Sequence, residues 1–393
     1  MRIDFEYSCG WNRLVMDSFG LWPKCHMNFI EKNWSLIIAI MISIVVIIPR
    51  FAAIFLFWNE TDAVVQSFST QLLFMTIVFK LLILHFRNEV LADLLTAMEA
   101  DLSQRLTDIK YLAVLRTARI GRIISIVLTS GTFCILITGV IATKFYHLDS
   151  LYIKNPDPRL SLNFFWVTYL PFSTENTISY VTVLSLQLLA SLMAGFYFIF
   201  DGFVVMLILH VCGQLQLIQI SLQHLVDNLP LIRDLRVTLR KIMEHHQRMH
   251  RFVSSIDQCF NMMWFLELTS CTLTFCFQGY ILLKLLRADQ SSTFQMSFPV
   301  CAAIGLLSKF FLNCWAGEYL ISQSSEIGSA FYEAQWYKLV PSDARSLMMI
   351  GHKKIRPFTL STAKFSVLSF RLFVQMLKTS GSYLSMLLVV AES

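Results

Sequence analysis

Charge is scarce in this 393-residue chain: Asp, Glu, Lys and Arg make up 15% of it, against 55% hydrophobic residues. The catalytic vocabulary is missing as well. There is no Gly-rich phosphate loop, no Ser nucleophile elbow and no pair of carboxylates on one apolar helix, so neither an enzyme nor a bound cofactor is expected. No CxxC pair suggests a metal or redox site. His245, His246 and His250 fall at helical spacing, but no acidic or cysteine ligand stands at a matching interval, so they read as a solvated, weakly basic helix and no metal is expected. No nucleic-acid partner is expected either.

What the chain does have is seven apolar stretches: Leu36 to Trp58, Ala63 to His85, Ile123 to Thr143, Ile178 to Val211, Phe260 to Leu286, Met296 to Trp315 and Phe365 to Val390. Each reaches the ~20 residues that a helix needs to cross a hydrocarbon core of ~30 Å. The expected fold class is an all-α integral membrane protein with seven transmembrane helices, bathed in membrane lipid. The first stretch is too long for a cleaved signal and lacks a small-residue cleavage site, so it is expected to stay as a helix. Its Pro49-Arg50 pair predicts a kink, with the arginine turned toward other helices or toward the interface.

Basic residues alternate between the connections. None lies in Asn59 to Asp62, whereas Arg87, Arg105, Lys110, Arg116, Arg119 and Arg122 follow the second span. The segment after the third balances Lys144, Lys154 and Arg159 against Asp149, Asp157 and Glu175. After the fourth come Arg233, Arg236, Arg240, Lys241, Arg248 and Arg251, and before the last Lys338, Arg345, Lys353, Lys354, Arg356 and Lys364. The positive-inside rule then predicts a cytoplasmic N-terminus and an extracellular C-terminus, the reverse of a G-protein-coupled receptor. Residues 144 to 177 hold no cysteine, so the disulfide clamp common in such receptors cannot form there. Asn59-Glu60-Thr61 is a glycosylation sequon in a loop too short for its use to be expected.

The inner connections carry helical patterns of their own. Apolar residues recur near a 3.6-residue period at Val90, Leu91, Leu94, Leu95, Met98 and Leu102, and again at Leu235, Leu239, Ile242 and Met249. The expected organisation is a cytoplasmic N-terminal segment over residues 1–35, helices one to six with inner extensions over 36–318, a cytoplasmic anchor segment over 319–358, and a seventh helix with a short outer tail over 359–393. The last span is amphipathic: Arg371, Gln375, Lys378, Ser382 and Ser385 recur at steps of three and four with Thr379 beside them, while Phe373, Met376, Leu377, Leu384 and Leu387 form the other face. A polar stripe on lipid is costly. Close packing by small residues and a water-filled conduit account for it equally on the residues alone. Further along, Met386, Val389 and Val390 replace the stripe with apolar side chains, as in a gate that expels water.

These residues resemble the insect odorant receptor family. Ala330, Tyr332, Glu333, Trp336 and Tyr337 look like its aromatic motif between the sixth and seventh helices. Thr359-Leu360, Lys364-Phe365, Leu368-Ser369, Phe373, Leu377-Lys378-Thr379-Ser380 and Ser382-Tyr383 resemble its approach to the last helix, and Asp201, Phe203, His210 and Gln214-Leu215 the inner end of its fourth. Gly381 stands where the family usually has an aromatic, and the C-terminal signature of the gustatory receptors is not present. The chain also has no room for the long insertion that marks the odorant receptor co-receptor, so it resembles a tuning subunit. The resemblance implies a non-selective cation channel gated by odorants in the plasma membrane of olfactory sensory neurons. It further implies a heterotetramer with the co-receptor, a pore lined by the last helix through Gln375, Thr379, Ser382, Ser385, Met386, Val389 and Val390, and an assembly surface at Tyr332, Trp336 and Tyr337. A gustatory-type channel and, further off, a G-protein-coupled chemoreceptor are the alternatives.

A small volatile ligand calls for an apolar and aromatic cavity with a few placed polar groups. The outer halves of the second, third, fourth and sixth helices offer Phe68, Gln71, Leu72 and Met75; Cys134, Thr138 and Phe145; Leu184, Gln187, Leu188 and Ser191; and Phe298 and Cys301. Gln71, Thr138 and Gln187 stand out because a polar group inside a membrane helix needs a partner.

Overall fold

The structure, a computed structural model, describes residues 5–104, 106–146, 160–161, 164, 166–172, 176–225, 235–287, 293–334, 336–338, 341 and 357–392. Among these, seven helical segments are long and apolar enough to cross a bilayer: Phe29–Leu56, Thr61–Leu102, Asp108–Ile141, Thr177–Gln223, Val237–Arg287, Pro299–Lys338 and Phe370–Val389. In chain order the helices are α1 (Phe5–Ser18), α2 (Phe29–Ile42), α3 (Ile48–Leu56), α4 (Thr61–Leu102), α5 (Asp108–Tyr146), α6 (Thr177–Ala194), α7 (Phe196–Gln223), α8 (Leu235–Arg287), α9 (Thr293–Glu333) and α10 (Phe370–Glu392). Two short antiparallel hairpins interrupt them, β1 (Leu160–Ser161) with β2 (Thr168–Tyr169), and β3 (Ser361–Thr362) with β4 (Ser366–Val367).

The expected kink in the first span is a five-residue π-helical segment, Ser43–Ile47, between α2 and α3. Pro49 follows it directly. A proline offers no N–H and its ring crowds the carbonyl four residues back, so the ladder widens just before it. Gln71 of α4 donates from Nε2 to the Ile47 carbonyl at 3.1 Å, and Arg50 is fully buried with its guanidinium 4.8 Å over the Trp166 ring.

Helix α7 forms the axis of the bundle. Every residue from Ile199 to Leu215 is buried, as a helix apolar on all sides requires, and α7 packs against α1, α5, α8 and α9. The break at Gly195, between α6 and α7, lies against α5: a Cβ there would come within 2.9 Å of Thr132 Cγ2. The inner patterns read from the sequence are continuations of membrane helices. α8 alone runs 53 residues, about 80 Å at 1.5 Å per residue. At that end of the bundle Asp101 of α4 meets Arg248 of α8 at 2.7 Å and His210 of α7 at 3.4 Å. His245 reaches Gln214 Oε1 at 3.1 Å, while His246 and His250 pack on Phe358.

The N-terminal segment carries a helix of its own, and two details further along concern the boundaries expected there. Residues 5–18 form α1, which docks on α5 and α7 through Trp11 to Thr129 and Asn12 to Met206. Residues 319–333 continue α9 without interruption, while 335, 339–340 and 342–356 of the expected anchor segment lie outside the described residues. The last helix begins at Phe370 and not at Phe365, because residues 361–367 pair as the β3–β4 hairpin around Ala363 and Lys364, both at positive φ. Glu318 of α9 accepts from the Phe370 backbone N–H, placing a carboxylate at the start of α10 where the helix dipole favours it.

Candidate functional site

A cavity of ≈ 100 Å³ lies where α4, α5, α6 and α7 meet the β1–β2 region. Two helices line it with one stripe each: Thr70, Leu73, Phe74 and Ile77 of α4, and Thr132, Ile135, Leu136 and Gly139 of α5. Both follow the i, i+3, i+4, i+7 spacing of a single helix face. Ser191, Ala194, Gly195, Tyr197 and Phe198 line the opposite wall, and Trp166 closes it from the loop before β2. Trp166 is fixed on every side. Its Nε1 donates to Ser191 Oγ at 3.1 Å, its backbone N–H to Gln187 Oε1 at 3.1 Å, and Phe74 meets its ring edge-on at 5.8 Å.

Behind Tyr197 lies a second constellation. Lys80 of α4, Asp201 of α7, Glu267 of α8 and Lys309 of α9 are all fully or almost fully buried and join four helices. Lys80 Nζ stands 2.7 Å from Asp201 Oδ2 and donates to the Tyr197 carbonyl at 2.8 Å. Lys309 Nζ stands 2.5 Å from Glu267 Oε1, 3.2 Å from Asp201 Oδ2 and 3.4 Å from the Tyr197 ring centroid. Asn313 donates to both carboxylates, at 3.4 and 3.3 Å. Two cations and two anions leave the group neutral, which is how charge is tolerated at such depth.

The third feature is α10. Leu372, Met376 and Ser380 turn inward, with Ser380 Oγ donating to the Thr272 carbonyl of α8 at 3.2 Å. Arg371, Gln375, Lys378, Ser382 and Ser385 face outward, and so do Met386 and Val389, 67% and 69% exposed. The chain itself covers none of these.

The family model described as 7tm Odorant receptor matches residues 60–381. The chain belongs to that family. Among curated relatives, Odorant receptor 22c of Drosophila melanogaster is 23% identical over 197 residues, covering 48% of each chain. The Odorant receptor coreceptor of Aedes aegypti is 24% identical over 152 residues, 39% of this receptor and 31% of that protein. The match thus spans about half the length of the curated relatives or less. In three dimensions the receptor resembles the insect olfactory receptor OR5 from Machilis hrabei, in complex with eugenol, with a TM-score of 0.81 over 99% of this chain and 100% of that one at 13% identity. The same protein without that ligand gives 0.77. The receptor therefore has the fold of an insect olfactory receptor and is a multi-pass membrane protein of receptor type.

Of the residues singled out for ligand binding, the cavity takes in Ser191. Gln187 is buried one turn away, bonding Trp166 and Thr168. Gln71 donates to Ile47 while its buried Oε1 has no partner among the described residues, and Thr138 bonds backward to the Cys134 and Ile135 carbonyls. Phe68 packs beside Ile54 and Phe57, Leu184 and Leu188 pack against the main core, Leu72 and Cys301 are half-buried, and Met75 and Cys134 are exposed. The side chains of Phe145, Phe298 and Val390 lie outside the described residues. Thr379 is half-buried on α10. Tyr332 and Tyr337 are exposed, with Trp336 packed on the core. Trp166, Phe74 and Tyr197 were not singled out from the sequence. For Phe74 the signal was the Thr70-Leu73-Phe74-Ile77 stripe, two residues along from the face chosen and so on the opposite side of the helix.

Proposed function

We propose that the receptor is a subunit of an odorant-gated, non-selective cation channel, opening a pore shared with the odorant receptor co-receptor in the plasma membrane of olfactory sensory neurons. The observation that carries this reading is the outward face of α10. A transmembrane helix whose uncovered side bears Gln375, Lys378, Ser382 and Ser385 cannot rest against lipid without a large cost. Lining a water-filled conduit with the same helix of neighbouring subunits relieves that cost. Met386 and Val389, on the same side and further along, supply the apolar ring that closes it by excluding water. The ligand is a small volatile compound held in the cavity beneath Trp166, and it opens the pore by binding the open conformation more tightly than the closed one. Exposed Tyr332 and Tyr337 serve assembly into the heterotetramer. The alternating basic connections orient the chain with its N-terminus in the cytoplasm.

The test is to express the chain with and without the co-receptor and record current under a broad panel of volatiles. Current that needs both subunits and an odorant is the expected result. An epitope tag before Met1 that is stained on intact cells would overturn the orientation and, with it, the channel reading.

A further inference from the structure

The cavity's chemistry narrows its ligand, on the reading that this cavity is the receptor's odorant site. We infer that it takes a compact, uncharged molecule of about four to six non-hydrogen atoms that donates one hydrogen bond, a short alkanol rather than a ketone, acid or amine. Size comes first. An engineered apolar cavity of ~150 Å³ in another protein holds benzene, and this one measures ≈ 100 Å³, so the space it encloses suits a group no larger than that.

Charge comes second. Among the described residues the lining carries no carboxylate, ammonium, guanidinium or imidazole. Lys80 and Lys309 stand behind Tyr197 and are neutralised by Asp201 and Glu267, while Arg50 lies over the Trp166 ring outside the lining. A carboxylate or ammonium entering the cavity would lose its hydration with no counter-charge to meet.

Hydrogen-bond accounting decides the rest. Among the described residues the threonine, serine and tryptophan donors of the walls already have acceptors: Thr70 Oγ1 donates to the Ser67 carbonyl at 3.1 Å, Thr132 Oγ1 to Leu128 at 2.9 Å, Ser191 Oγ to Gln187 at 2.8 Å, and Trp166 Nε1 to Ser191. The Tyr197 hydroxyl pairs with Cys271 Sγ, 3.9 Å away, where either group can be the donor. Acceptor capacity is left over, since a hydroxyl oxygen has two lone pairs and those of Thr70 and Thr132, with one on Ser191, remain open. A ligand that donates finds a partner there. One that only accepts must break an existing bond or stay unpaired.

The experiment compares n-butanol, butanone, butanoate, butylammonium and n-decanol by concentration response on cells expressing the full chain with the co-receptor. The expected order is n-butanol active at a concentration about five- to tenfold below butanone, with both ions and n-decanol without effect. Replacing Thr70→Val, Thr132→Val and Ser191→Ala one at a time should narrow the gap between alcohol and ketone in at least one variant. Enlarging the wall with Ile77→Ala should admit longer alkanols. Equal potency of butanone, activation by butanoate or butylammonium, or a gap that survives all three hydroxyl variants overturns the ligand assignment. A response confined to long-chain compounds does the same while leaving the channel reading intact. Silence to every volatile in a broad panel, with the protein at the cell surface, sinks the channel reading instead.

Discussion

Replacing Lys309 by methionine removes one cation from the neutral group of four while nearly preserving side-chain volume. Its Nζ lies 2.5 Å from Glu267 Oε1 and 3.2 Å from Asp201 Oδ2. At an effective dielectric constant of ~20 each contact amounts to roughly 5–7 kcal/mol before desolvation. Burying the ammonium returns several kcal/mol of that, and repulsion from Lys80 takes more. What decides the outcome is the state left behind, in which two buried carboxylates face one lysine. Breaking a buried pair from one side costs about 3–5 kcal/mol, a large share of a total stability of about 5–15 kcal/mol. Lys309→Met is therefore expected to unfold at markedly lower temperature in detergent, read as loss of the monodisperse peak after heating. The double variant Lys309→Met/Glu267→Gln, neutral again, should recover part of the loss, with a coupling of about 1–3 kcal/mol. A melting temperature for Lys309→Met within a degree or two of the parent, or strictly additive single and double variants, would refute the argument.

Gln71→Leu is expected to destabilise the receptor by about 0.5–1.5 kcal/mol through loss of its bond to the Ile47 carbonyl, while concentration–response curves keep their ligand ranking; a changed ranking would put Gln71 in the ligand site. Gly317→Ala should lower surface expression, because its Cβ would press on the Leu368 carbonyl, 3.1 Å from the carbon and closer still to the oxygen; overpacking of this kind costs about 1–3 kcal/mol, and wild-type thermal stability would count against it. Val389→Ser should raise current without ligand, and a cysteine at Val389 or Met386 should react with thiol reagents faster when odorant is present; labelling that ignores odorant would move these residues off the conduction path.

The seven spans were legible because a helix in lipid needs an unbroken apolar run, a signal confined to neighbouring residues. Pro49 announced its kink for the same local reason. The β3–β4 hairpin gave no such warning, since strands of two residues have no period to read and the turn rests on Ala363 and Lys364 rather than glycine. Among the described residues the cavity is lined from three of the four spans chosen for the ligand, with none of its lining from α9, and mostly by other faces of those helices. Gln71 and Thr138 attracted notice as polar groups, and both donate to backbone carbonyls inside the helical layer, while the lining lies two residues along α4 and one along α5 from the positions chosen. Trp166 was beyond reach, because its place depends on a loop folding back to Ser191, 25 residues on. The charged group shows the same limit more sharply. Lys80, Glu267 and Lys309 each look like a lone blemish in an apolar run, and Lys80 finds Asp201 only across 121 residues.

That separation has a consequence for how the protein is made. Helices leave the ribosome in order, so the running charge of the buried group is +1 when Lys80 enters the bilayer, zero once Asp201 arrives, −1 with Glu267 and zero again with Lys309. At about 5–20 residues per second, Lys80 waits roughly 6–24 s for its first counter-charge, carrying an insertion penalty of about 2.5–3.5 kcal/mol that the apolar remainder of α4 has to offset. The chain passes through one neutral checkpoint after α7 and a second only after α9. A chain cut after α8 and before α9 holds an unmatched carboxylate in the membrane, so truncation there should yield a substrate for quality control rather than a shortened receptor, whereas a cut before α8 leaves a core that is already balanced.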